Sequence, residues 1–194
     1  LMLKLTINPH PSKLVMIPRI RAIFATDLAG GMGAQASMPW PRLKSDLRFF
    51  SQLTGGCTVI MGRTTWDSDM PKPLPGRQNV VITNRPLEDK PQYKHVLTAT
   101  GSAVEIINLL RLGFPDSVTV QWWVIGGAGV LRQWLPYCEQ MYYSRIHGHW
   151  PCDTVLAPDQ WQNNFCLISS ESVTDETGFK LDFELWENIN LQEY

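Results

Sequence analysis

The 194-residue sequence lacks a charge excess of either sign. Lys and Arg number 17 and Asp and Glu number 18, so the formal net charge is −1, and the basic residues are scattered along the chain. A protein that binds nucleic acid normally has a clustered basic excess, so we expect no nucleic-acid partner. Any anionic ligand must therefore be bound by local groups.

Long apolar runs are also missing. No segment approaches the roughly 20 apolar residues that a membrane-spanning helix needs, so we expect no membrane partner. Residues 1–18 are interrupted by Pro9 and Pro11 and lack the continuous apolar region of a signal peptide. We predict an N-terminal extension over residues 1–17 and one domain over residues 18–190, with a cytoplasmic location and a monomeric state.

Cysteine is scarce and widely spaced. No C-x-x-C pair occurs, which argues against a disulfide framework or a structural zinc site and favours buried free thiols. The four cysteines are Cys57, Cys138, Cys152 and Cys166. His147 and His149 share one face of a predicted strand and lie near Cys152 and Asp153, but their spacing fits no established metal site. We expect no metal and exposed histidines at a sheet edge.

Short apolar runs alternate with helical segments along the chain. Strands are predicted over residues 20–26, 58–62, 79–83, 118–127 and 139–146, and helices that begin within residues 38–50, from residue 63, over residues 101–113 and over residues 128–135. Ser102 and Gly113 are the candidate caps of the third helix. Segments 165–173 and 179–188 alternate apolar and polar residues around TDETG, which is typical of an antiparallel hairpin with one solvated face.

This order of elements predicts the fold class. Strands that alternate with helices indicate an α/β domain, and a terminal hairpin indicates an antiparallel edge. We therefore predict a single domain with a central, mainly parallel twisted sheet, an antiparallel C-terminal edge hairpin and about four flanking helices.

The first predicted helix, which begins in MPWPRLKSDLRFF (38–50), carries a carboxylate on its apolar side. At about 100° per residue, Asp46 lies among Leu43, Leu47 and Phe50. A buried unpaired carboxylate is costly, or its pKa rises and it becomes neutral. Three interpretations remain open. Asp46 is favoured by the helix dipole near a first turn that contains Pro41, or it pairs with a buried arginine, or it faces a ligand at the bottom of an apolar pocket.

Two strand-to-helix junctions combine glycine with hydrogen-bond donors. In VIMGRTTW (59–66) and VIGGAGVL (124–131), the helix N-termini present unpaired N–H groups and the positive end of the dipole. Neither junction is the G-x-G-x-x-G fingerprint or a P-loop. Each one alone is equally compatible with a tight turn or close packing, whereas two in one sheet favour a ligand with more than one phosphate.

Two arginines are candidate anion ligands. Asn84 and Arg85 follow a predicted strand, at the edge where ligands of open α/β sheets bind. Arg77 ends the stiff turn PLPGR, and a rigidly displayed guanidinium suits bidentate recognition of a carboxylate. An ordinary solvated loop arginine is the alternative at either position.

Taken together, these segments resemble the dihydrofolate reductase family. The resemblance extends from about Ile20 to the final hairpin, and its segments are GMGAQASMPW, the helix with Asp46, VIMGRTTW, PLPGR before NVVITNR, VIGGAGVL, and YYSRI with CDT further on. It implies that NADPH reduces 7,8-dihydrofolate to tetrahydrofolate, with hydride transfer to pterin C6 and protonation at N5, and that antifolate inhibitors bind.

The resemblance also implies residue roles on the substrate side. Asp46 would hold the pterin 2-amino group and N3 and favour protonation at N5, and Ser144 would hydrogen-bond behind it. Trp40 would belong to a loop that closes over the nicotinamide. Ala25, Leu47 and Phe50 would line the pocket of the pterin and benzoyl groups, and Arg77 would bind the α-carboxylate of the folate glutamate.

On the cofactor side, the resemblance implies a cis peptide between Gly126 and Gly127 and an Arg85 that faces the 2′-phosphate. The implied cofactor-binding residues are Gly33, Met38, Arg63, Thr64, Thr65, Asn84, Arg85, Ile125, Gly126, Gly127, Ala128, Gly129 and Val130. One departure is Leu131, at a position near the nicotinamide where the family often has tyrosine. A riboflavin-pathway reductase and a non-catalytic folate-binding or partner-binding copy are the competing hypotheses.

Overall fold

An eight-stranded sheet forms the centre of the protein, in a computed structural model that describes residues 18–113 and 121–194. Within these residues the strands are β1 (Arg19–Asp27), β2 (Gly31–Gly33), β3 (Thr58–Gly62), β4 (Gln78–Ile82), β5 (Leu97–Ala99), β6 (Gln121–Gly126), β7 (Gln140–Ile146), β8 (Thr154–Val155), β9 (Phe165–Thr174) and β10 (Lys180–Asn188). The helices of the same residues are α1 (Lys44–Thr54), α2 (Arg63–Asp67), α3 (Ala103–Gly113) and α4 (Ala128–Trp134).

The sheet is parallel over most of its width. Its strand order is β5-β4-β3-β6-β1-β7-β10-β9, and every pair from β5 to β7 is parallel. β10 pairs antiparallel with both β7 and β9. β2 and β8 form a separate two-stranded sheet. The predicted fold class, a mainly parallel sheet closed by an antiparallel edge hairpin, is confirmed.

The two faces of the sheet bury different clusters because side chains alternate along each strand. On β1, Ile20, Ala22 and Phe24 belong to the larger cluster, which includes apolar residues of α3 and α4. Ile23 and Ala25 point to the opposite face, where the apolar residues of α1 and α2 pack. The second face carries the helix with Asp46.

Some predictions lie outside the described residues. These are the N-terminal extension over residues 1–17 and the first part of the predicted strand at 118–127, which the structure describes from Gln121. Ser102 does cap α3, since its hydroxyl accepts from the N–H of Glu105 at 3.3 Å while Glu105 accepts from the N–H of Ser102 at 2.8 Å. α3 ends at Gly113.

The placement of Pro41 in the first turn of a helix is wrong. α1 begins at Lys44, and Leu43 is its N-cap in an extended conformation. Leu43 is 2% exposed and belongs to the same buried cluster as Trp40. Burial of these two side chains keeps the intervening backbone extended, so the helix begins three residues after Pro41.

The hairpin differs from its predicted pattern in one respect. β9 is exposed on both faces over most of its length, and Leu167 and Ile168 are 45% and 52% exposed. β9 is the last strand of the sheet, and no helix of the described residues covers it. Alternation along β9 therefore does not translate into one buried and one solvated face.

Candidate functional site

Three strand ends meet at one edge of the sheet. β4, β3 and β6 are neighbours and run parallel, so the segments that follow them lie side by side. α2 follows β3 directly, and α4 follows β6 after Gly127. These adjacent carboxyl ends are where open α/β sheets bind ligands.

The junctions before α2 and α4 are in close contact. A Cβ atom at Gly62 would lie 2.9 Å from Cγ2 of Val130, and one at Gly127 would lie 3.4 Å from Oγ1 of Thr65. Glycine at position 62 therefore permits the approach of the two turns. The peptide between Gly126 and Gly127 is cis, as the resemblance implied, and Gly126 has a φ of +124°. The two turns therefore bring backbone and hydroxyl groups side by side.

The remaining residues predicted around these turns differ in exposure. Gly126 and Ala128 are buried, while Ile125, Gly127 and Val130 are half-buried. Thr64 and Gly129 are exposed, and Thr65 is half-buried. Leu131 is fully buried in the larger core cluster, which explains why this position accepts an apolar side chain.

Arg63 joins α2 to the loop after β4. Its Nε donates to Asp67 at 2.8 Å, and Nη1 donates to the carbonyls of Arg85 at 3.5 Å and Pro86 at 3.1 Å. Asn84 and Arg85 are exposed in that loop. In residues 18–113 and 121–194 no carboxylate pairs with Arg85, so its charge can meet an anionic ligand. Arg63 thus contacts the backbone of the loop that carries Arg85, and guanidinium groups are well suited to phosphates.

Asp46 lies on the other half of the sheet, in the first turn of α1. Burial raises the pKa of Asp46, a hydrogen bond from the Ser144 hydroxyl lowers it, and the charge of Asp175 raises it again, so that the pKa is above its usual value. Ser144 is 1% exposed on β7 and pairs in register with Ala25 of β1. Ser144 and Ala25, both predicted at the substrate site, thus lie on the neighbouring strands β7 and β1.

These contacts argue against one of the three interpretations of Asp46. Within the described ranges no arginine forms an ion pair with Asp46, so the buried ion pair is not what holds it. The dipole is available, since Asp46 is at the third helical position. A dipole alone does not account for the burial that raises the pKa of Asp46. The ligand-facing interpretation stays a prediction.

The apolar side of α1 is incompletely covered. Of its eleven residues, Lys44–Thr54, only Thr54 is fully buried. Leu47 and Phe50 are half-buried, as is Ala25 on β1. Phe49 stacks on Phe183 of β10 with ring centroids 4.3 Å apart, which fixes the helix against the sheet. The exposed parts of these side chains form an apolar wall next to Asp46.

Arg77 lies at the far end of α1. Its Nε donates to Oγ1 of Thr54 at 2.9 Å, Nη1 to the carbonyl of Pro75 at 2.7 Å, and Nη2 to the carbonyl and hydroxyl of Ser51, both at 3.3 Å. Burial lowers the pKa of Arg77, although a guanidinium stays charged. Since Nη1 has two N–H groups, at least one donor remains for a ligand carboxylate. The guanidinium is therefore held rigidly with a free donor.

The loop between β2 and α1 contains the last predicted site residues. Met38 is 47% exposed, whereas Trp40 is 5% exposed and contacts Trp150 edge to face at 5.8 Å. Gly33 ends β2 and pairs with Thr154. Trp40 is thus held in the core at the end of the loop, and Met38 is its exposed part.

Two aspartates that hold this region were not predicted as site residues. Asp27 is 2% exposed and accepts from the N–H groups of Ala29 at 2.9 Å, Gly31 at 2.8 Å and Trp150 at 3.1 Å. Asp175, in the turn between β9 and β10, accepts from the N–H of Ser45 at 2.8 Å. An Asp directly before a glycine-rich loop and an Asp two residues before Thr177 are typical of side-chain bonds to nearby backbone, and that signal was present.

His147 and the four cysteines form no metal site within the described residues. Nε2 of His147 is 2.6 Å from Asp182, and across residues 18–113 and 121–194 no cluster of three or more metal-ligating side chains occurs. The cysteines are free, but the prediction that they are buried is wrong for half-buried Cys152 and exposed Cys166, because the latter lies on the open edge strand. Among the described residues, no helix is long and apolar enough to cross a membrane.

Comparisons with known proteins agree on one family. A family model described as dihydrofolate reductase matches residues 19–188. The dihydrofolate reductase of Bacillus subtilis (strain 168) is 32% identical over 165 residues, which cover 85% of this chain and 90% of that protein. The viral dihydrofolate reductase of Saimiriine herpesvirus 2 (strain 488) is 29% identical over 190 residues, which cover 90% of this chain and 87% of that protein. A solved structure, dihydrofolate reductase from Enterococcus faecalis complexed with NADP(H) and RAB-propyl, is similar with a TM-score of 0.75 and 26% identity, covering 91% of this chain and 99% of that one.

Proposed function

Since the chain belongs to the dihydrofolate reductase family, we propose that it reduces 7,8-dihydrofolate to 5,6,7,8-tetrahydrofolate with NADPH. The observation that carries the proposal is the position of Asp46, whose burial raises its pKa beside the half-covered apolar wall of α1. A carboxyl group whose pKa is raised by an apolar environment suits a reaction that needs both a hydrogen bond to substrate and a proton.

The two turns after β3 and β6 form the cofactor half of the site. NADPH supplies the hydride when it is bound. Arg63 and the hydroxyls of Thr64 and Thr65 bind its phosphates together with the backbone from Ile125 to Val130. The space at Gly127 supports this fit. A Cβ atom added there would lie 3.4 Å from Oγ1 of Thr65. Arg85 and Asn84 bind the 2′-phosphate, since in the part of the chain described no carboxylate neutralises Arg85.

The cleft between α1 and the sheet forms the substrate half. Asp46 accepts hydrogen bonds from the pterin 2-amino group and N3, and Ser144 hydrogen-bonds to it from β7. Leu47 and Phe50 line the pterin and benzoyl groups from the helix, and Ala25 lines them from β1. Arg77 binds the α-carboxylate of the glutamate with the donor left on Nη1.

Asp46 also serves the proton transfer. The reduction adds a hydride at C6 of the pterin and a proton at N5. Because the pKa of Asp46 is raised, its side chain retains a proton at higher pH than an exposed aspartate would, and it passes the proton to N5 through water. The loop that begins after Gly33, contains exposed Met38 and ends at buried Trp40 lies at the nicotinamide, and closure of that loop excludes bulk water.

The proposal has consequences for partners and place in the cell. Every residue of both halves belongs to one chain, so a monomer is sufficient. Antifolates that carry a protonated diamino ring would pair with Asp46 in the place of the pterin. Tetrahydrofolate supports one-carbon and thymidylate metabolism, and we place the enzyme in the cytoplasm.

One assay tests the function. The purified protein is mixed with NADPH and dihydrofolate, and the near-ultraviolet absorbance of the nicotinamide is followed. We expect absorbance loss that requires both substrates. Loss with a riboflavin-pathway pyrimidine in place of dihydrofolate would favour the related reductase, and binding of dihydrofolate without absorbance loss at high enzyme concentration would favour the non-catalytic copy.

A further inference from the structure

The turn between β9 and β10 reaches the first turn of α1 through a buried carboxylate. Oδ2 of Asp175 accepts from the backbone N–H of Ser45 at 2.8 Å and from its hydroxyl at 2.6 Å. Oδ1 accepts from the N–H and the hydroxyl of Thr177 at 3.0 and 2.8 Å. Asp175 is 4% exposed. Both oxygens therefore have two donors, and the side chain has a single well-defined orientation.

The N-cap residue of α1 makes no side-chain hydrogen bond to the helix. The N-cap residue is Leu43, whose side chain offers no acceptor, and the first N–H groups of a helix have no intrahelical partner. An N-cap side chain normally accepts from the second or third N–H. Asp175 supplies that acceptor to Ser45, the second helical residue, from 130 positions further along the chain.

Asp46 is the next residue in the same turn. Asp175 holds both the N–H and the hydroxyl of Ser45, the residue directly before Asp46, so it fixes the backbone from which the Asp46 side chain projects. The other groups around it do not replace this contact. Lys44 is engaged with Glu176 at 2.6 Å, Arg77 lies at the opposite end of the helix, and Ser144 and Ala25 on the strands below are uncharged.

We infer that Asp175 is a positioning residue for the reduction: it holds the first turn of α1 and thereby the orientation of the Asp46 carboxylate towards the pterin. The inference rests on the proposed function. Asp175 acts through Ser45 and touches no reacting atom. Its negative charge also faces Asp46 and raises the pKa of that group, an effect second in this direction to burial.

Two substitutions and one control test the inference. Asp175→Ala removes the cap, and Asp175→Asn keeps an oxygen for Ser45 while removing the charge. Glu176→Gln removes a charge from the same turn without touching Ser45 and is the matched control, since Glu176 pairs only with Lys44 at the surface. The measurements are kcat/KM for dihydrofolate against pH and the Kd of NADPH by fluorescence titration.

We expect Asp175→Ala to lower kcat/KM by about 10- to 100-fold, as small misplacements of a reacting group do. Asp175→Asn should lose less. In both variants the apparent pKa of the kcat/KM profile should fall, because a like charge beside Asp46 is gone. NADPH affinity should be unchanged, and Glu176→Gln should stay within about threefold of wild type with the wild-type profile.

Three results would overturn the inference. The first is a wild-type pH profile and rate in both Asp175 variants. The second is an equal loss in Glu176→Gln, and the third is a loss of NADPH affinity that parallels the loss of rate, which would indicate general unfolding. If Asp175→Ala does not fold, the pH profile of kcat/KM for Asp175→Asn alone tests the inference. A wild-type protein without turnover would instead refute the proposed function itself.

Discussion

The carboxylate of Asp46 has opposite effects on stability and on the proposed reaction. Burial raises the pKa of Asp46, so the ionised form destabilises the fold although the reaction needs the group. A group whose pKa is higher in the folded than in the unfolded chain stabilises the fold only in its protonated form. That contribution is present below the unfolded pKa and is lost as pH rises through the folded pKa. In its ionised form, Asp46 therefore lowers the stability of the fold.

Asp46→Asn separates these two effects. Asparagine cannot ionise, and its side-chain oxygen can still accept a hydrogen bond from Ser144. We expect turnover to fall by about 100-fold or more, since general acid catalysis is removed. NADPH affinity should be unchanged and the Tm at neutral pH should rise, as measured by stopped-flow kinetics, titration and calorimetry. A collapse of NADPH affinity or a lower Tm would show that Asp46 is structural.

Arg77 permits a prediction with a substrate control. Lysine keeps the charge but loses the planar donor set, so Arg77→Lys should raise KM for dihydrofolate by about tenfold, the value of one charged hydrogen bond. The ratio of KM between variant and wild type should return to near one for a 7,8-dihydropterin that lacks the glutamate. If KM rises equally for both substrates, Arg77 acts only through its contacts to Ser51 and Thr54.

At the scale of elements, buried aspartates connect segments that are distant in the chain. Asp27 joins the start of the β1–β2 loop to the segment before β8, and Asp175 joins the β9–β10 turn to α1. In both cases a side chain satisfies backbone N–H groups that have no strand or helix partner. The loops around the cleft are therefore held by specific polar contacts in addition to apolar packing.

Asp27→Asn should loosen the first of these connections. An amide places a donor against N–H groups that need an acceptor, at a cost of about 1–3 kcal/mol, or a few degrees in Tm. Hydrogen exchange should accelerate at residues 29–31 and near Trp150. Asp159→Asn is the control, since Asp159 is exposed. Unchanged exchange in Asp27→Asn would contradict the assigned role of Asp27.

Several elements were predictable because their signal is local. Alternation predicted the hairpin, Ser102 predicted a helix start, and the apolar period of α1 singled out Asp46. Three-residue strands such as β5 are too short to show a period. The partner of Asp175 was unpredictable for a different reason. The contact between Asp175 and Ser45 exists only because the fold brings Ser45 to the β9–β10 turn. The TDETG segment alone indicates only a turn.

At the scale of the whole molecule, the fold divides the site between two halves of one sheet. β4, β3 and β6 carry the turns of the cofactor half, and β1 and β7 carry Ala25 and Ser144 of the substrate half. The order of motifs along the sequence predicted both halves. Their proximity follows from parallel strands whose carboxyl ends share an edge, and the contact between Gly62 and Val130 required the structure.

The pH dependence of stability tests the electrostatics of this arrangement. Hydrogen bonds from Ser45 and Thr177 hold the pKa of Asp175 well below its usual range. A group with a depressed pKa contributes stability above the unfolded value, about 3.9, and loses it as pH falls towards the folded value. The Tm of wild type should therefore exceed that of Asp175→Asn most at neutral pH, and the gap should close below about pH 4. A gap that is constant with pH would contradict this assignment.

Isotope transfer tests the central claim most directly. The protein is incubated with dihydrofolate and NADPH deuterated at both hydrogens of nicotinamide C4, and the product is examined by mass spectrometry and NMR. We predict tetrahydrofolate that carries one deuterium at C6, and an unlabelled solvent proton at N5. Label that is absent from the pterin while NADPH is consumed, or label at another carbon, would contradict the account.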